Sequence, residues 1–263
     1  MYRLRKEAIG KILFLIFLLS SGIVFAQISP PGLGVANTAS WCALGIRQYL
    51  DTTKRWQSVS YVGLGRKSSP DNFSPVSKNG ILVFNQEFYH QFHKNYQYSL
   101  AVSYRRQDEY SDVSPYDYKA NRIKQEFRIY SRFAYSYKIS RFKISPIIRQ
   151  EFRKFYASDF SNLAENFQLR TRMRIQLTMN LDRQNLGKLI LNAESLFAVS
   201  KENNPGKWTG FHYSESRFSF YYSVSLQKIP LTLSIGYMNN LIGMKSPRSV
   251  HYFAFDIILE NLF

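Results

Sequence analysis

The chain predicts an all-β fold, a closed antiparallel transmembrane β-barrel of about twelve strands, with ten as the alternative. Three observations carry that expectation: apolar and charged residues alternating with a period of two, connections alternating between short and long, and an export-type amino terminus. In mid-chain, Arg122, Lys124, Glu126, Arg128 and Arg132 share one parity, and Ile123, Phe127, Ile129 and Phe133 share the other. Arg149, Glu151 and Arg153 then oppose Ile148 and Phe152. Gln168, Arg170, Arg172, Arg174 and Gln176 oppose Phe167, Leu169, Met173, Ile175 and Leu177. A period of two places successive side chains on opposite faces of a sheet.

Residues 1–26 read as a cleaved signal peptide, leaving 27–263 as one barrel domain. Arg3, Arg5, Lys6 and Lys11 precede a largely apolar run, and Val24-Phe25-Ala26 forms a small-x-small cleavage site before Gln27. A membrane anchor is the competing reading. The run is short for a span and contains Ser20, Ser21 and Gly22, which favours cleavage. No later stretch approaches the ~18–20 apolar residues that a spanning helix needs.

From there the strand candidates follow one another closely. Residues 41–49 and 56–66 are joined by the short polar turn Asp51-Thr52-Thr53-Lys54, and a long loop with Pro70 and Pro75 follows. Residues 81–92 and 96–107 meet at His93-Lys94-Asn95, before a second long loop holding Pro115. Residues 122–138 and 141–155 meet at Ile139-Ser140; 166–181 and 188–200 meet at 182–187. After a Lys-Glu-Asn-Asn-Pro-Gly-Lys loop come 212–227, 231–239 and 251–263. Membrane barrels of bacterial outer membranes have this asymmetry of short turns and longer outer loops. Eleven strands are evident. An even number is the rule for such barrels, so residues 32–36 are expected to supply a twelfth. Pro146 lacks a ladder donor, which predicts a local bulge.

Composition narrows the function classes. The 35 basic against 18 acidic residues give a net charge of +17. Nucleic-acid binders share that balance, but here the basic residues occupy alternate strand positions instead of one recognition face, so no nucleic-acid partner is expected. The single cysteine, Cys42, excludes an internal disulfide framework and a Cys-rich zinc site. The 19 Tyr, 21 Phe and 3 Trp suit aromatic girdles at two membrane interfaces. A soluble β-sandwich is the alternative architecture. Its polar face would meet water, whereas repeated Arg-x-Arg and Glu-x-Arg on adjoining strands suggest an interior of ion pairs.

The order of several short motifs resembles a known family. Gly32-Leu33-Gly34, Thr38-Ala39-Ser40-Trp41, Tyr104-Arg105-Arg106, Gln125-Glu126-Phe127-Arg128, Arg149-Gln150-Glu151-Phe152-Arg153 and Leu169-Arg170-Thr171-Arg172 are among them. So are Asn192-Ala193-Glu194, Glu215-Ser216-Arg217 and Gly236-Tyr237. The chain resembles the uncharacterised domain of unknown function 2490 family, found largely in Bacteroidota. That resemblance implies an outer-membrane barrel and carries no activity or catalytic residues with it. The terminal Phe263, after an alternating aromatic strand, resembles the signal read by the barrel-assembly machinery of Gram-negative outer membranes. The expected location is therefore the cell outer membrane, with lipid and lipopolysaccharide as surroundings.

Candidate functional residues lie on the polar parity: Glu87, Arg105, Glu126, Arg128, Arg149, Glu151, Arg153, Arg170, Arg172, Arg174, Glu194, Glu215 and Arg217. In a closed barrel they meet in one lumen. They form either a structural cross-strand network, since Arg forks match carboxylates, or a basic channel or binding site for an anionic solute. The protein is expected to be non-enzymatic, without cofactor or metal; His90, His93 and His251 lack metal-ligand spacing. One enzymatic alternative is a lipid-modifying activity. His212-Tyr213-Ser214 has the His-x-Ser spacing of the outer-membrane phospholipase A, with both residues expected to face lipid. Asn239 is expected opposite Phe218, too far away to orient His212.

Overall fold

Alternating sequence becomes twelve strand segments: β1 (Thr38–Tyr49), β2 (Trp56–Lys67), β3 (Lys78–His93), β4 (Tyr96–Tyr110), β5 (Tyr118–Tyr135), β6 (Tyr137–Ile139), β7 (Phe142–Tyr156), β8 (Asn162–Asn180), β9 (Gly187–Glu202), β10 (His212–Ser225), β11 (Leu231–Ile242) and β12 (Arg248–Glu260). The computed structural model describes residues 28–202, 206–244 and 246–262; the expected signal peptide, residues 1–26, and Phe263 lie outside the described residues. Consecutive segments pair, except that β5 and β6 both pair with β7, and β1 pairs with β12 to close the barrel.

The segments β5 and β6 are one stave. Against β7, Ala134 faces Ile147 and Tyr137 faces Ile144, so register is kept across the break at Ser136. The barrel therefore has eleven staves among the described residues, one fewer than parity led us to expect. Staves that alternate direction leave the first and last of an odd set running the same way. Accordingly β1 and β12 pair in parallel, from Thr38 opposite His251 to Arg47 opposite Glu260, whereas the other neighbouring pairs are antiparallel. Arg47 and Glu260 form an ion pair of 2.7 Å across that seam.

Residues 32–36 are not a twelfth strand. The segment from Ile28 runs inside the barrel and turns into β1 at the long-loop end, with Ile28, Leu33 and Ala36 buried. Pro30 and Pro31 have no N–H to give a ladder. Backbone groups of the segment bond lumen side chains instead: Leu33 N–H donates to the Tyr252 hydroxyl (2.9 Å), and Lys67 Nζ donates to the Leu33 carbonyl (3.0 Å). Small residues make room for the segment. Gly63 lies beneath the Trp41 ring and Gly236 beneath Tyr221, where an added Cβ would stand 2.2 Å from ring carbon.

Two further expectations change. Pro146 causes no bulge, because β7 stays in register with β8 from Phe142 opposite Met179 to Lys154 opposite Phe167. The irregularity falls on the other side, at the gap between β5 and β6. Strands also run beyond their alternating stretches into the long connections; Tyr110 at the end of β4 pairs with Tyr118 at the start of β5. Parity itself holds through the middle of the strands, and register shifts fall near their ends. Leu44, Phe84, Val102, Ile129, Phe152, Ile175 and Phe253 project outward, while Glu87, Arg105, Glu126, Arg128, Glu151 and Glu194 are buried within.

Candidate functional site

Inward-facing rows of β3 to β10 bring all thirteen predicted charged residues into one interior network. Register explains how. Arg128 faces Arg153, and Arg149 faces both Arg132 and Arg172, so like charges sit directly opposite. Such pairs repel unless a carboxylate lies between neighbouring rows. Glu151 and Glu126 fill that place.

Glu151 is wholly buried and receives Arg149 Nε (2.7 Å), Arg172 Nε (2.8 Å) and Arg128 Nη1 (3.3 Å). Glu126 takes a two-pronged contact from Arg153, with Nε and Nη2 each at 2.8 Å, and further contacts from Arg128 and Arg105. Glu194 receives Arg174 Nη2 at 2.9 Å and Arg172 Nη1 at 3.5 Å. Glu215 receives Arg217 Nη2 (2.6 Å), Asn240 Nδ2 (2.8 Å) and, more distantly, Arg170 Nη1 (3.6 Å). Arg128 thus links Glu126 to Glu151, and Arg172 links Glu151 to Glu194. Removing charge from water costs several kcal/mol per ion, which only dense pairing of this kind offsets. The forked guanidinium geometry suits that task.

Glu87 stands at the edge of the network. It accepts from the Tyr130 hydroxyl (2.7 Å), Arg132 Nη2 (3.2 Å) and the Ser99 hydroxyl (2.5 Å). The Arg149 guanidinium stacks 3.5 Å from the Tyr130 ring centre. Ser99, Tyr130, Asn240 and Tyr252 were not among the predicted site residues, because neutral side chains leave no mark in a charge pattern. Their inward parity was the available signal. Two polar cavities within the lumen measure about 50 and 70 Å³, and the inserted segment lies against the first. Among the described residues, no group of three or more His, Cys, Asp or Glu side chains is placed to hold a metal.

The His212–Ser214 pair is not assembled as expected. A bulge between Tyr213 and Glu215 interrupts β10, and His212 faces Ala198, which belongs to the lumen parity. Tyr213 takes the outward place beside Phe197. His212 Nδ1 contacts the Gly210 carbonyl at 2.9 Å. Asn239 does stand opposite Phe218, as expected. It meets a different pair there. On the outer face near the long loops, Asn239 Nδ2 lies 2.6 Å from Ser249 Oγ, and Ser249 Oγ lies 3.4 Å from His251 Nε2. The Tyr237 hydroxyl holds His251 Nδ1 at 2.6 Å. If Nδ1–H donates to that hydroxyl, Nε2 is left as an acceptor toward Ser249. Sequence reasoning started the last strand at His251 and so left Ser249 in a loop.

A family described as a protein of unknown function, DUF2490, matches residues 82–251, from within β3 to the start of β12. The chain belongs to this DUF2490 family. The matched stretch contains every residue of the predicted charged network, whereas the inserted segment, β1 and β2 precede it. No curated protein matches this DUF2490 chain.

Proposed function

We propose that this DUF2490 protein is an exported outer-membrane barrel whose lumen is sealed, with the Arg/Glu network serving chiefly to hold the barrel shut. One observation carries the reading: the fold is inside out relative to a water-soluble barrel. Charges fill the interior, and large apolar side chains cover the exterior; Ile129 and Ile235 are each 60% exposed and Phe253 63%. Leaving one such side chain in water forgoes roughly 1.5–3 kcal/mol, so an exterior made of them calls for a hydrocarbon solvent. Among the described residues no helix is long and apolar enough to cross a membrane, so the crossing elements would be strands.

Aromatic clusters support the same reading. Trp56, His90, Phe92, Tyr96, Tyr98 and Phe133 form an outer group near the short turns. Phe84, Tyr104, Phe127 and Tyr156 form another toward the long loops. Leu100, Val102 and Ile129 lie between the two groups, as aliphatic residues do between the girdles of membrane barrels. Lipid and, on the outer leaflet, lipopolysaccharide would then be the surroundings. The assembly machinery would engage the alternating β12 strand and Phe263. The experiment is a planar-bilayer recording on protein whose closure is checked by heat-modifiable gel mobility. A barrel that shifts on heating and passes no steady current is the expected result. Sustained conductance would sink the sealed lumen, and a chain soluble without detergent would sink the membrane assignment.

A second reading, hydrolysis of lipid acyl esters, is favoured by Ser249, His251, Asn239 and Tyr237. Nucleophile and base lie within reach, and a third group orients the base. Ser249 Oγ would attack the ester carbonyl while His251 Nε2 takes its proton and passes it to the departing alcohol as the ester C–O bond breaks. Water, deprotonated by the same nitrogen, would then release the fatty acid from the acyl-serine. Asn239 Nδ2 would stand beside the attacked carbonyl, since it lies 2.6 Å from Ser249 Oγ. Phospholipid hydrolysis in mixed micelles, abolished by Ser249→Ala but kept by Ser214→Ala, is the result this reading requires. Inactivity of the wild-type protein would dispose of it.

A further inference from the structure

The charges inside the barrel do not balance. Among the described residues, the network holds nine arginines (the eight predicted ones and Arg132) against five glutamates. A guanidinium cannot shed its proton to relieve the excess. Where the inserted segment meets these rows lies the polar cavity of about 50 Å³, whose lining includes Pro30, Asn85, Glu87, Arg105, Arg132 and Arg217. Four amide or guanidinium nitrogens of that lining have neither a hydrogen-bond partner nor an ion-pair partner among the described residues: Asn85 Nδ2, Arg105 Nη2, Arg132 Nε and Arg217 Nε. Three of these residues, Asn85, Arg105 and Arg217, are more than nine-tenths buried. Glu87 cannot serve them all, because its oxygens already receive Ser99, Tyr130 and Arg132.

We infer that this cavity is a binding site for one small oxyanion of the phosphate or sulfate type. Unmet buried donors need acceptors, and excess buried charge needs a counter-charge. Water supplies the first alone. A tetrahedral oxyanion supplies both, and its oxygens match planar guanidinium forks. The cavity offers about four times the space that a single water requires, which suits such an ion and excludes nucleotides, sugars and lipids. The site lies between the inserted segment and the barrel wall. A bound anion would therefore join the two, through Arg217, which also donates to the Pro30 carbonyl at 3.3 Å. This inference rests on the sealed lumen proposed above.

Equilibrium dialysis with radiolabelled inorganic phosphate, and with sulfate as competitor, tests the site on the folded, detergent-solubilised chain. About one phosphate per barrel is expected, displaced by sulfate. Asn85→Asp places a fixed carboxylate in the cavity, so it should weaken phosphate binding at least tenfold while the barrel stays closed by gel mobility. Arg132→Gln should weaken binding similarly and gives a second variant should the first fail to close. No bound anion in the wild-type barrel would overturn the inference, as would unchanged binding in closed Asn85→Asp protein. A failure of the sealed-lumen reading shows separately, as conductance.

Discussion

The barrel fills its interior by two different means. Along β3 to β10 the lumen is packed by long side chains that reach across and pair, with Glu151 alone meeting three arginines. Along β1, β2, β11 and β12 many inward residues are small or apolar, among them Ala39, Ala43, Gly63, Gly236, Met238 and Ala254, with fewer charges such as Arg47 and Asp256. There the chain itself supplies the filling, as Ile28 and Leu33 pack with Trp41, Tyr221 and Tyr252. The difference shows what a narrow barrel needs. Interior volume must be occupied, and either paired charge or inserted backbone can do it, provided each polar group finds a partner.

The comparison can be broken from either side. The largest effect is expected from deleting residues 28–36, which should leave the charged half intact and open the apolar half. A silent barrel should then pass ions in a planar bilayer; Leu33→Ala alone should cost about 2–5 kcal/mol in denaturant unfolding. Next comes Glu151→Gln, which strands three buried guanidinium groups. A loss of about 3–5 kcal/mol is expected by the same measurement, with the inserted segment still in place by protection from proteolysis. Gly63→Ala should cost about 1–3 kcal/mol by pushing the Trp41 ring toward the segment, read as a change in Trp fluorescence along with the unfolding midpoint.

The smallest effect lies at the short turns, which belong to neither half. The Thr53 hydroxyl, with backbone N–H groups of Trp56 and Arg55, holds the Asp51 carboxyl below its usual pKa. The Gly187 and Leu186 amides do the same for Asp182. A carboxylate depressed in the folded state favours folding above the ordinary Asp value of about 4, and that contribution is lost as pH falls through the depressed value. Amide protection at Trp56 and Gly187, corrected for the intrinsic pH dependence of exchange, should therefore fall on acidification below about pH 4, with protection of the strand interiors unchanged.

Legibility in the sequence followed the same division. The charged half was readable because period-two alternation reports a face directly; Arg170, Arg172 and Arg174 lie inside because they share a parity opposite Leu169, Met173 and Ile175. Asn239 opposite Phe218 was readable for a similar reason, since one tight turn sets that hairpin's register. The inserted segment was not. Pro30-Pro31-Gly32 has no period, and its partners Tyr252 and Arg217 lie about two hundred residues away. The even-number rule then supplied a strand that the chain does not have. The bulge at Ser214 escaped notice because an added residue shifts parity without changing composition.

The parallel seam between β1 and β12 carries a consequence for biogenesis. Neither stave can meet its partner until the intervening two hundred or so residues have been laid down, so the cylinder closes last where the chain began. The segment ahead of β1 turns inward at the rim beside that seam, so the same pairing that closes the wall also anchors the root of what fills it.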